Sequence, residues 1–214
     1  MDLDELRRQI DGIDEELVAL LNRRANVVVE VGKLKNTTGA PIYAPDREKA
    51  VLEKIKKANK GPLADKTLMA IWRELMSGSF ALERPLRITY LGPQGSYSHL
   101  AAVGKFGSSV EYESVANIQG VFYEVSQEHA DFGIVPIENS VGGGVIDTLD
   151  ALVETDVQIC AEINRIIHHN LLANCPLEEV DRVYSKPEVF AQCQRWLGKT
   201  NLAGRTIPMA STSK

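Results

Sequence analysis

The chain has 214 residues, 44% of them apolar, which allows one or two domains with buried cores. No apolar run approaches the length of a membrane-crossing helix. Residues 1–85 hold 15 Lys/Arg against 14 Asp/Glu and residues 86–214 hold 9 against 15, so neither part is the basic footprint of a nucleic-acid binder.

The start Met1-Asp2-Leu3-Asp4-Glu5 is acidic and lacks the apolar core of a signal peptide. Cys160, Cys175 and Cys193 are odd in number and widely spaced, which suits a reducing cytoplasm better than a disulfide framework. A cytoplasmic protein is therefore expected. His99, His129, His168 and His169 have no zinc-site spacing, so no metal and no cofactor are expected.

Apolar positions at Leu3, Leu6, Ile10, Ile13, Leu17, Leu20, Val27, Val31 and Leu34 step by threes and fours and predict one helix over 3–35. Such a helix is about 50 Å long and must bury its seam against a partner chain or a long hairpin. Thr37 to Pro41 breaks it. Pro45 opens a second helix, with Asp46 and Glu48 near its positive end and Val51, Leu52 and Ile55 facing inward. Asp65 reads as the N-cap of a third helix carrying Leu68, Ile71, Trp72, Leu75 and Leu82, which Pro85 stops.

From Leu86 the period changes. Strands are expected at 88–91, 110–112, 132–135, 157–163, 167–173, 183–184 and 206–210. Helices are expected from about Ser98, over 117–126 and 146–153, and from Pro187. Strands alternating with helices predict a parallel α/β layer domain. Gly92 to Gly95 lacks the lysine of a phosphate-binding loop and the third glycine of a dinucleotide fingerprint.

Arg24 is the informative residue, because the three-four seam lands on it between Leu20 and Val27. A register-setting or snorkelling arginine is the plain explanation. A buried arginine needs an anion, however, and no acidic residue shares the seam. Lys35 lies eleven residues on, on nearly the same face. Ser79 and Glu83 interrupt the apolar stripe of the third helix, and Arg47 and Glu48 open the second. Each alone reads as a helix end or a solvated turn. Together they turn polar groups with excess cations toward one place, which suits a small dianion.

The segments Leu6 to Asp11, Val31 to Lys35, Pro45 to Glu48 and Met76 to Glu83 resemble the helical chorismate mutase family. Gly92 to Ser98, Pro136 to Ser140, Thr148 to Asp150 and Ser185 to Cys193 look like the start of a prephenate dehydratase domain. Their order resembles the bifunctional chorismate mutase/prephenate dehydratase family of phenylalanine biosynthesis. The resemblance implies an all-α three-helix mutase domain over 1–85, forming an intertwined homodimer through the first helix. An α/β periplasmic-binding-protein-like dehydratase domain would follow over 86–214.

It also implies roles. Arg24 and Arg7 would clamp the carboxylates of chorismate, with Arg7 supplied by the other subunit. Arg7 is seventeen residues from Arg24, about 25 Å along one helix, too far to share one small ligand. Lys35 and Glu83 would face the ether oxygen, and Glu83 could donate only as the acid, a form that desolvation favours. Arg47, Glu48 and Ser79 would hold the hydroxyl and a carboxylate. Ala44 departs from the family, which often has an acidic residue there. Glu138, Asn139, Ser185 and Gln192 match residues that line the prephenate cleft, although Asn139 beside Gly142-Gly143-Gly144 also suits a turn.

Ser211-Thr212-Ser213 reads as a helix start. The family's later Thr-Arg-Phe motif and its phenylalanine-binding regulatory domain do not follow, so a truncated dehydratase without activity is expected. The competing class is a non-enzymatic coiled-coil dimer with a ligand-sensing α/β lobe. It calls for a basic helix-turn-helix, which is not found, and leaves Arg24 unexplained.

Overall fold

The computed structural model describes residues 2–38, 43–140 and 142–209. The chain divides into two compact units, residues 1–135 with 151–163, and residues 136–150 with 164–214.

The first unit opens with three helices: α1 (Leu3–Thr38), α2 (Pro45–Ala58) and α3 (Asp65–Glu83). With 36 residues, α1 is about 54 Å long. Its seam is exposed in the single chain, from Leu3 (62%) to Leu34 (66%). Proline opens α2, with Asp46 and Glu48 in the first turn and Lys56 and Lys57 in the last, a sign order that suits the helix dipole. Asp65 does not cap α3. Ala64 is the N-cap residue without a side-chain bond, and Asp65 accepts from Asn59 Nδ2 at 2.7 Å. The competing donor, the side-chain amide of Asn59, explains the difference. Ile71 and Leu82 of α3 are exposed in the single chain.

A parallel sheet follows in the order β2-β1-β3, from β1 (Arg87–Leu91), β2 (Glu111–Val115) and β3 (Phe132–Ile134). Its crossovers are α4 (Tyr97–Phe106) and α5 (Ile118–Ser126). Ser96 caps α4 by accepting from the amide of His99, and Asn117 caps α5 by accepting from that of Gly120. Leu86, Ile88, Ala102, Phe106 and Val110 form the core of this unit with Tyr43, and Phe80 of α3 packs against it. Helices and sheet thus share one core. Two polar ties add to it: the Ser109 amide donates to Ser77 Oγ at 2.9 Å, and the Ser108 amide and hydroxyl both donate to Glu74.

The second unit holds the short antiparallel pair β4 (Glu138–Asn139) and β5 (Gly143–Gly144), most of α6 (Ile146–Glu154), and the parallel pair β6 (Val183–Ser185) and β7 (Thr206–Pro208). α7 (Pro187–Leu197) connects β6 toward β7. Val180, Val183, Leu197 and Leu202 form its core.

Two expectations need correction. Residues 157–163 and 167–173 form no strands. Their β-branched runs fit a pleated surface, but a strand exists only beside a ladder partner, and among the described residues none pairs with them. The β4–β5 hairpin was not expected, because two-residue strands carry no periodicity. The break at Gly39 to Pro41, the end of the 206–210 strand and the Ser211 to Ser213 helix start lie outside the described residues. No helix among the described residues is long and apolar enough to cross a membrane.

Candidate functional site

The polar groups that interrupt the α1 and α3 stripes meet across the helix pair. Arg24 is half-buried, and its Nη1 donates to Ser79 Oγ at 2.7 Å. Ser79 is buried, and its hydroxyl donates in turn to the Leu75 carbonyl at 2.8 Å. That back-bond fixes the hydroxyl proton within α3 and leaves the oxygen to accept from the guanidinium. Burial pulls the Arg24 guanidinium below its ordinary value. No carboxylate pairs with it among the described residues. Arg24 is thus a partly desolvated cation whose described side-chain partner is a neutral hydroxyl.

Three turns along α1, Lys35 Nζ donates to Glu83 Oε2 at 3.0 Å, with the Glu83 side chain only 8% exposed. Gly32 makes this contact possible. A Cβ there would lie 3.0 Å from Glu83 Cγ and 3.3 Å from its Cβ. Lys35 and Glu83 were expected to face a common ligand atom, and here they close on each other.

At the start of α2, Glu48 Oε2 accepts from Tyr43 OH and from Lys105 Nζ, each at 2.8 Å. Tyr43 and Lys105 carried no signal in the sequence. Tyr43 lies in an irregular stretch, and Lys105 lies on α4, fifty-seven residues from Glu48. Arg47, the neighbour of Glu48, is exposed and has no polar partner among the described residues. Ala44 sits before α2 with no side-chain acceptor to offer. Arg7 pairs with Asp4 at 3.2 Å on the exposed part of α1, so the single chain does not bring it to Arg24.

In the second unit, Gln192 of α7 donates from Nε2 to Asn139 Oδ1 of β4 at 2.8 Å, and its Oε1 lies 2.5 Å from His169 Nε2. Two of the four residues expected to line a cleft are therefore joined, and His169 is an addition. Ser185 is buried at the end of β6, and Glu138 is exposed beside Asn139. Neither joins the amide chain. Gly143, with φ +70°, pairs with Asn139 across the β4–β5 ladder. Among the described residues no cluster of His, Cys, Asp and Glu is arranged to hold a metal ion.

Comparison with known proteins gives two family matches. The model described as prephenate dehydratase matches residues 88–214, and that described as chorismate mutase type II matches residues 6–84. A bifunctional chorismate mutase/prephenate dehydratase of Aquifex aeolicus is 40% identical over 218 residues, covering 100% of this chain and 60% of its own length. One of Neisseria gonorrhoeae is 42% identical over 218 residues, covering 99% and 60%. The chain thus spans 60% of the length of these curated relatives. A solved chorismate mutase of Thermus thermophilus is 33% identical, with a TM-score of 0.37 over 38% of this chain and 92% of that one.

Proposed function

Because the chain belongs to the prephenate dehydratase family and carries a chorismate mutase type II segment ahead of that match, we propose that it rearranges chorismate to prephenate. We assign this step to residues 1–85, and assign residues 86–214 to a prephenate dehydratase domain. The spans of the two family matches support that division. The pair would serve phenylalanine biosynthesis.

The carrying observation is Arg24. It is drawn out of water, pairs with no carboxylate among the described residues, and rests on a neutral hydroxyl. Chorismate is a dianion, and one of its carboxylates would supply the missing charge.

The chemistry asks little else. The rearrangement is unimolecular, with no nucleophile and no proton carrier required. Holding the compact conformer and meeting charge that grows on the ether oxygen must supply about 8 kcal/mol, the low end of enzymatic barrier reduction. In this reading Arg24 takes a carboxylate and Ser79 helps hold the guanidinium. Lys35 turns from Glu83 to the ether oxygen as ligand enters, with Glu83 beside it. Arg47 and Glu48 take the hydroxyl and remaining carboxylate.

Arg7 completes the site from a second copy of the chain. The exposed α1 seam supports that homodimer, because a helix of this length with apolar residues at every third and fourth position must cover them. In the dehydratase domain, Asn139 and Gln192, with Glu138 and Ser185, would contact prephenate.

A chorismate turnover assay on the purified chain, followed by loss of chorismate absorbance, tests the mutase reading. Formation of prephenate supports it. Absence of turnover at high enzyme concentration removes it.

A further inference from the structure

Glu48 is held by a residue that the family division assigns to the other domain. Lys105 stands in the last turn of α4, where the helix dipole favours an ammonium. It reaches Glu48 Oε2 at 2.8 Å, and Tyr43 OH reaches the same oxygen at 2.8 Å. Both side chains of the ion pair are largely covered, Lys105 at 25% exposure and Glu48 at 11%. Lys105 Nζ also lies 5.7 Å from the centre of the Tyr43 ring.

Tyr43 is itself anchored. It is buried against Phe80, Phe106 and Phe132, with ring centres 5.8, 5.1 and 5.1 Å away. Burial, and next the bond to Glu48, push its hydroxyl well above the ordinary tyrosine range, so it remains a donor.

Two donors on one oxygen have a geometric consequence. A glutamate one turn into a helix has three free torsions and would sample several rotamers. Oε2 is pinned from two directions, from the aromatic core and from α4. Oε1 has no hydrogen-bond partner among the described residues. Oε1 keeps contact with solvent, which leaves it open to a donor, and a ligand hydroxyl is one.

We propose that Lys105, seconded by Tyr43, is a positioning residue for the mutase site: it holds Oε2 of Glu48 so that Oε1 faces the ligand. The α/β lobe thereby contributes a residue to the chemistry of the helical segment. The inference rests on the mutase reading above and extends it to a residue outside the mutase family match.

The test is steady-state kinetics with chorismate on the full chain and on five variants: Lys105→Met, Lys105→Arg, Glu48→Gln, the Glu48→Gln/Lys105→Met pair and Tyr43→Phe. Lys105→Met should raise KM about 10-fold, the size expected when a hydrogen bond to a charged group is lost. Lys105→Arg should restore most of the affinity, because a guanidinium also donates to Oε2. In the Glu48→Gln background, Lys105→Met should have no further effect. Tyr43→Phe, which keeps the ring packing, should raise KM in the same direction. It serves as the second probe if Lys105→Met does not fold. Additive losses in the double variant, or an unchanged KM in both Lys105→Met and Tyr43→Phe, overturn the positioning role while leaving the mutase reading intact. A wild-type chain that does not turn over chorismate overturns both.

Discussion

Arg24 and Ser79 stand 55 residues apart in the chain, yet Nη1 of the one donates to Oγ of the other across 2.7 Å. This contact joins α1 to α3 through a cation and a neutral hydroxyl. Truncating a covered charge that binds a ligand costs about 3–4 kcal/mol, so Arg24→Ala should lower kcat/KM for chorismate by about 10²–10³-fold. Helical circular dichroism should stay near that of the wild type. Arg24→Met should melt no lower than the wild type, because it removes a partly desolvated charge that has no counter-ion among the described residues. Full activity in Arg24→Ala would sink the anion site.

Gly32 and Gly12 lie on the same helix in opposite situations. A Cβ on Gly32 would press on Glu83 at 3.0 Å, whereas one on Gly12 meets nothing within 4 Å. Gly12→Ala should stabilise by up to about 1 kcal/mol, the intrinsic gain of alanine over glycine in a helix. Gly32→Ala should destabilise by about 1–2 kcal/mol, since overpacking outweighs that gain. Urea unfolding midpoints measure both. Equal shifts in the two variants would show that α1 and α3 do not approach closely at Glu83.

The homodimer has a genetic-style test. Arg7 and Arg24 are too far apart on one helix to share a ligand, so each site would take Arg7 from one copy and Arg24 from the other. Arg7→Ala and Arg24→Ala should each be strongly impaired alone. Unfolded together and refolded, they should regain activity, because each heterodimer carries one intact site. No recovery, or a fully active monomer in sedimentation, would refute the shared site.

Glu74 predicts an acid-range dependence of stability. The Ser108 hydroxyl and then its amide donate to the carboxylate and hold it below the ordinary glutamate value. A depressed carboxylate contributes stability that is fully present above its unfolded value, about 4.3, and that is lost as pH falls through the folded one. Glu74→Gln should therefore be less stable than the wild type at neutral pH, with the difference shrinking toward pH 3. Thermal melts between pH 3 and 7 report it. A difference that grows on acidification would have the wrong sign.

Much of the helical segment was legible in the sequence because its signals are local. The three-four spacing of apolar residues defines α1, and Pro45 with its acidic neighbours opens α2. Arg24 could be singled out because it breaks a periodic stripe, and its meeting with Ser79 needed only that the two stripes face each other. The β1–β3 layer was legible for the same reason, with its strands separated by capped helices. The strands expected at 157–163 and 167–173 failed because strand formation depends on a neighbour that the segment does not contain.

Only tertiary structure decided the rest. Lys105 reaches Glu48, and His169 reaches Gln192, through the packing of elements whose local sequences carry no mark of the partner. The closing of Lys35 on Glu83 depends on how near α3 comes to Gly32, a distance set by side-chain fit between helices. Periodicity states which face of an element is buried, because that depends on the residue's own spacing along a regular backbone. It does not state which polar atoms on two such faces meet, because that depends on the register and separation of the packed pair.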